Sequence, residues 1–151
     1  MIRLASCLLL LLSLLVSCQK AETTIPGMTF RSVDCDMRQA AYIGLQTPGY
    51  FMEMKTFPNT NAPIGYAGLL VGSSLLDNQY YAYDSACPVE ANRKVAVELV
   101  DDNFSGKAAC PMCGAQYNLW NGGAPISGSE YFLKRYTVVR VNEYVIRIIS
   151  D

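Results

Sequence analysis

The residues most able to do chemistry in this 151-residue chain are its cysteines, at positions 7, 18, 35, 87, 110 and 113, and the most constraining count is a histidine content of zero. Without histidine there is no proton shuttle near neutral pH and no imidazole metal ligand. Catalytic triads, histidine-ligated zinc enzymes and non-heme iron facial triads are therefore excluded, and nothing in the sequence marks it as an enzyme in its own right. Thiols remain, and they can hold soft metals, pair as disulfides or act as redox nucleophiles. Two of them lie in the run Cys110-Pro111-Met112-Cys113-Gly114. A CxxC motif acts as a redox centre when it opens a helix. Here Ala115 to Gly123 follows, a strand-like stretch ending in Gly122-Gly123 with no helical periodicity. The other context for such a run is a pair of metal-binding loops, since Cys87-Pro88 also follows a strand-like segment, Tyr81-Ala82-Tyr83.

These loops need a rigid frame, and the sequence supplies it as strands. Alternating or β-branched and aromatic runs recur at Tyr50–Lys55, Tyr66–Val71, Gln79–Tyr83, Val95–Val100, Gln116–Trp120, Tyr131–Val141 and Tyr144–Ile149. Between them stand Asp77-Asn78, Asp101-Asp102-Asn103, Gly122-Gly123 and Asn142-Glu143, residues that tolerate tight turns. Hairpins follow, and with them antiparallel sheets. One exception is expected: a short helix over Asp36–Leu45, capped by Asp36 and carrying Met37, Ala40, Ala41 and Ile43. Hydrophobic residues make up 51% and charged residues 17%, which suits one folded domain. With 12 basic against 13 acidic residues, nothing in the charge balance points to a nucleic-acid surface or an electrostatic membrane patch.

The N-terminus reads as an export segment. Arg3 supplies the positive start, Leu8 to Val16 a short apolar run too short to span a bilayer. It ends in Leu15-Val16-Ser17-Cys18, which resembles the lipobox of bacterial lipoproteins. That resemblance implies a signal peptide over 1–17, lipidation of Cys18, and attachment to a membrane of the bacterial cell envelope, on the periplasmic side or at the cell surface. A plain secretory signal cleaved near Ser17 is the alternative. Cys7 falls in the discarded segment, residues 18–27 read as a lipidated flexible tether, and 28–151 as the domain. An envelope location permits disulfides.

From about Gly65 to Ile148 the chain resembles the Rieske family, whose domains carry C-x-H in one loop and C-x-x-H-G in a second. Tyr81-Ala82-Tyr83-Asp84-Ser85-Ala86-Cys87-Pro88 is similar to the first loop with its leading strand. Cys110-Pro111-Met112-Cys113-Gly114-Ala115-Gln116-Tyr117-Asn118 is similar to the second, and Tyr136 to Val141 with Tyr144 to Ile148 to the closing hairpin. The resemblance implies an all-β, antiparallel sandwich with two cysteine-bearing loops at one end, and a 2Fe-2S cluster for electron transfer to a protein partner. Cys87 and Cys110 match the family's cysteine ligands, whereas the histidine positions fall on Val89 and Cys113. Three thiolates are left, and Glu90, Asp84 and Cys35 are the candidates for a fourth ligand. The plainer expectations are a solvated loop carboxylate for Glu90 and a buried core thiol for Cys35.

Three readings follow. In the first, Cys87, Cys110 and Cys113 hold a 2Fe-2S cluster whose potential drops from the family's range of about −150 to +300 mV toward about −400 mV. Arg3 stands alone where exported Rieske proteins commonly carry twin arginines, which weighs against a cluster crossing the membrane ready-made. In the second the same thiolates form a structural zinc site. In the third the domain is a metal-free envelope interaction module stapled by a disulfide between Cys87 and either Cys110 or Cys113, with Tyr80, Tyr81 and Trp120 as candidate partner contacts.

Overall fold

The computed structural model describes residues 22–58 and 60–150. The proposed signal peptide and Cys18 lie outside the described residues. Among the described residues there are ten strands: β1 (Val33–Asp36), β2 (Phe51–Met54), β3 (Leu69–Ser73), β4 (Tyr80–Asp84), β5 (Glu98–Leu99), β6 (Lys107–Ala109), β7 (Gln116–Asn118), β8 (Ala124–Ser127), β9 (Arg135–Arg140) and β10 (Val145–Ile149). They form two sheets, one of six strands in the order β1-β10-β9-β4-β3-β2 and one of four in the order β5-β6-β7-β8. Every pairing is antiparallel. The expected all-β, antiparallel fold is what the chain adopts.

Side chains alternate across a strand, so one strand can serve two cores if both faces are covered. Strands β2 to β4 do this. Leu69, Val71 and Ala82 point into a first core with Val33, Cys35, Met37, Leu45, Ile146 and Ile148, enclosed by the curl of the six-stranded sheet. Phe51, Leu70, Tyr81 and Tyr83 point the other way, into a second core with Val97, Ala108, Ala115, Tyr117 and Leu119 of the smaller sheet. All five residues of β3 are buried for this reason. Each fully buried large side chain contributes about 1.5–3 kcal/mol.

Several local expectations are corrected. The helix over Asp36–Leu45 is reduced to a 3-10 turn at Ile43–Gln46, because Asp36 ends β1 and its carboxylate accepts hydrogen bonds from the Arg38 backbone and side chain. Such a local bond offers the backbone a turn in place of a helix. The run Val95–Val100 keeps only two residues as strand β5: Val95 O and the Val97 N–H instead bond to Cys87 N and Ser85 O at the base of a loop. Strands β1, β6 and β8 lie outside the expected runs. β1 is the charged VDCD, β6 is the three-residue KAA, and β8 contains Pro125, which a sheet accepts at an edge.

Candidate metal centre

The loop after β4 is a closed finger. The Cys87 N–H donates to Val95 O at 2.8 Å, and Ala86 forms an isolated bridge with Ala96. Cys87 is extended (φ −69°, ψ 120°), as a residue before proline prefers, and Pro88 opens a 3-10 segment running to Arg93. Lys94 ends it in the left-handed region at φ 53°. The second finger joins β6 to β7. Its Cys110 N–H donates to Ala115 O at 2.8 Å and its Gly114 N–H to Cys110 O at 2.9 Å. Gly114 has φ +74° with open space where a Cβ would stand, so the backbone turn and not crowding demands glycine.

The base of the first finger is tied down by Asp84. Its buried carboxylate accepts from the Tyr66, Ala67 and Ala86 N–H groups and from the Tyr136 hydroxyl, at 2.5, 3.1, 2.9 and 2.8 Å. Four donors satisfy a buried charge that would otherwise be strongly unfavourable. Gly65 φ lies at +67°, and a Cβ there would stand 2.7 Å from the Asp84 carboxylate.

The fingers bring three sulfurs together. The Sγ atoms of Cys87, Cys110 and Cys113 all lie within 4.8 Å of one another, and Cys87 Sγ is 3.7 Å from Cys113 Sγ. Cys87 and Cys110 are buried while Cys113 is exposed. Burial pushes the Cys87 thiol up to about 11, against the opposing pull of the Tyr117 hydroxyl and the Glu90 and Val89 N–H groups. Burial also opposes ionisation of Cys110, but there the N–H groups of Cys113 and Met112 and the neighbouring thiols outweigh it, holding Cys110 below the ordinary thiol value. The backbone of its own finger thus favours the charged form of Cys110.

None of the residues expected as a fourth donor joins this group within the 4.8 Å that unites the three sulfurs. Asp84 is saturated as described. Glu90 faces Arg93, with 3.6 Å between carboxylate and guanidinium. Cys35 lies in the first core, on β1. The aromatic residues expected as partner contacts are mostly inward too: Tyr81 is buried and stacks on Tyr83 at 5.9 Å, the Tyr80 hydroxyl donates to Leu45 O, and Trp120 packs against the second core.

Two contributors carry no mark in the sequence pattern. The Tyr117 hydroxyl is 3.6 Å from Cys87 Sγ, and Arg93 Nη1 lies 3.1 Å from Met112 Sδ, linking the finger tips. The inward alternation of Ala115, Tyr117 and Leu119 marks Tyr117 as a core residue but gives no hint of its sulfur neighbour.

The sulfur spacing suits a tetrahedral thiolate-bound metal, zinc and iron alike. A tetrahedral thiolate site with metal–sulfur bonds of about 2.3 Å has sulfur–sulfur edges of about 3.8 Å. The Cys87–Cys113 separation of 3.7 Å is that edge. A 2Fe-2S cluster asks for four terminal ligands, two on each iron, with the two pairs held apart across the whole cluster. Three cysteines supply one ligand fewer than that set.

No family model matches the chain, and no curated protein does. Among solved structures, a complex of reduced oxygenase and oxidized ferredoxin in carbazole 1,9a-dioxygenase is similar at 19% identity and TM-score 0.46, over 79% of this chain and 91% of that one. A putative nitrite reductase NADPH (small subunit) oxidoreductase protein is similar at 13% identity and TM-score 0.42, over 80% of this chain and 99% of that one.

Proposed function

We propose that Cys87, Cys110 and Cys113 hold one thiophilic metal ion, best matched by zinc, between the two fingers of a Rieske-like scaffold that has exchanged its binuclear cluster for a mononuclear site. The observation that carries this reading is a group of three sulfurs within 4.8 Å of one another, enough for one ion with an open position and one short of the four ligands of a binuclear cluster. The fourth position is left to water or to a donor from outside the chain. Zinc bound to three thiolates supplies a redox-inert cross-link, so it serves structure or recognition, not electron transfer. The thiols would give up their protons on binding, with the finger backbone favouring the charged form of Cys110 and the Tyr117 hydroxyl donating to the Cys87 sulfur. The lipobox-like run at Leu15 to Cys18 supports the companion reading of an envelope protein anchored through Cys18. A protein partner at the envelope is part of this proposal.

Metal analysis of the full chain purified from envelope membranes tests it. One zinc per chain in a colourless sample is the expected result. Two irons per chain with absorbance between about 400 and 600 nm overturns it in favour of the cluster. A second reading rests on the same 3.7 Å contact: with Cys113 exposed, the pair Cys87 and Cys113 can pass two protons and two electrons to a partner disulfide and close as a disulfide themselves. Loss of two titratable thiols without metal would favour it.

A further inference from the structure

We infer that the finger-bearing end of the domain faces the lipid bilayer, with the bilayer surface covering an apolar rim formed by Val89, Met112 and Tyr131; this rests on the proposed lipid anchor at Cys18. Val89, Met112 and Tyr131 are 44%, 54% and 38% exposed. Val89 and Tyr131 line one open cavity of about 750 Å³ together with Thr24 and Pro88. Met112, at the tip of the second finger, is joined to the first finger through Arg93, at 3.1 Å.

The direction comes from where the N-terminal segment is fastened. The Thr24 hydroxyl donates to Pro88 O at 2.5 Å, the Phe132 N–H donates to Glu22 O at 2.8 Å, and Ile25 is buried at 4% exposure. Residues 22–25 therefore run against the first finger, one residue from Cys87. Cys18 is only four residues upstream of Glu22, and four residues reach at most about 14 Å when fully extended. An acyl group at Cys18 holds this end of the domain close to the headgroups. The opposite end is the turn between β3 and β4, where Leu75 and Leu76 are exposed, a full strand length of about 17 Å away. Although Leu76 is the more exposed apolar residue, a short tether at the fingers points it away from the lipid. Charge does not drive the approach, because Arg93 and Lys94 are offset by Glu90 and Glu130. The rim is apolar and tethered, as suits shallow interfacial contact.

Tryptophan quenching tests the orientation. The chain has one tryptophan, Trp120, whose carbonyl accepts from Ser74 at the far end, so it serves as the unquenched baseline. The full lipidated chain is placed in phosphatidylethanolamine–phosphatidylglycerol vesicles carrying brominated acyl chains, as wild type, Val89→Trp, Tyr131→Trp and Leu76→Trp. Val89→Trp and Tyr131→Trp should each show at least about twofold more quenching than Leu76→Trp, as expected for side chains at the acyl boundary. Equal quenching, or stronger quenching of Leu76→Trp, overturns the orientation while leaving the anchor intact. If the wild-type chain does not float with the vesicles, or floats equally well as Cys18→Ser, the anchor reading fails and takes this inference with it. The metal reading is untouched by either result, since it is read from metal content.

Discussion

Cys35 and Cys87 are equally buried, each with no exposed surface, yet they sit in opposite environments. Cys35 belongs to the first core, among Met37, Leu45, Ile146 and Ile148, and burial reinforced by the nearby Asp34 charge pushes its thiol up to about 12. Cys87 lines the second core but its sulfur touches another sulfur and a phenol. The difference lies in the neighbours. Apolar packing makes a thiol an inert filler, whereas at a loop tip Cys87 has polar neighbours and further thiols with which to share a metal, although burial still holds its thiol above the ordinary value.

The largest effect should come from the group that joins the two regions. Asp84 holds Tyr136 of the first core and the Ala86 N–H at the base of the first finger. Asp84→Ala leaves buried donors unpaired and should lower unfolding free energy by about 3–5 kcal/mol in denaturant titrations. A loss under about 1 kcal/mol would mean that the cores are held independently of this carboxylate.

Next is the sulfur group itself. Cys113→Ser should weaken zinc binding by more than about 100-fold in chelator competition, while the metal-free protein keeps its stability because Cys113 is exposed. Tyr117→Phe keeps the packing of the ring and removes the hydroxyl beside Cys87. Its expected cost is about 10-fold in zinc affinity, the lower end of what outer partners of metal ligands contribute. An unchanged affinity would reduce Tyr117 to a core residue.

The smallest effect sharpens the other side of the comparison. Cys35→Ala should leave zinc binding unchanged and lower stability by about 1 kcal/mol through a small cavity. Its pH signature is more telling. The folded thiol titrates near 12 against an ordinary value of 9.0, so its contribution is complete below pH 9 and is lost as pH rises from 9 toward about 12. Wild type should lose stability across that window more steeply than Cys35→Ala.

The sequence is most readable where covalent geometry leaves little choice. Proline after Cys87 and Cys110 favours an extended cysteine and a turn, so residue types alone locate both loop tips. Alternating runs locate β7, β9 and β10, because a half-covered strand must alternate, and aromatic-rich runs locate β2 and β4. The apolar run at Tyr66–Val71 begins three residues ahead of β3, since both faces of that strand are buried and no period fixes its end. The segment over Asp36–Leu45 misleads because a carboxylate suited to helix capping also suits a turn, and the partner that decides is Arg38. Among the fourth-donor candidates the sequence already reads Cys35 as a core thiol, but it does not separate the two carboxylates. Asp84 and Glu90 differ only in what surrounds them, four donors in one case and Arg93 in the other.

X-ray absorption at the metal edge of the full chain reads the centre most directly. The account predicts a zinc edge with three sulfur neighbours at about 2.3 Å and one lighter atom, and no metal–metal vector. An iron edge with a short iron–iron vector would contradict it, because Cys87 and Cys113 would then serve two irons and not one ion.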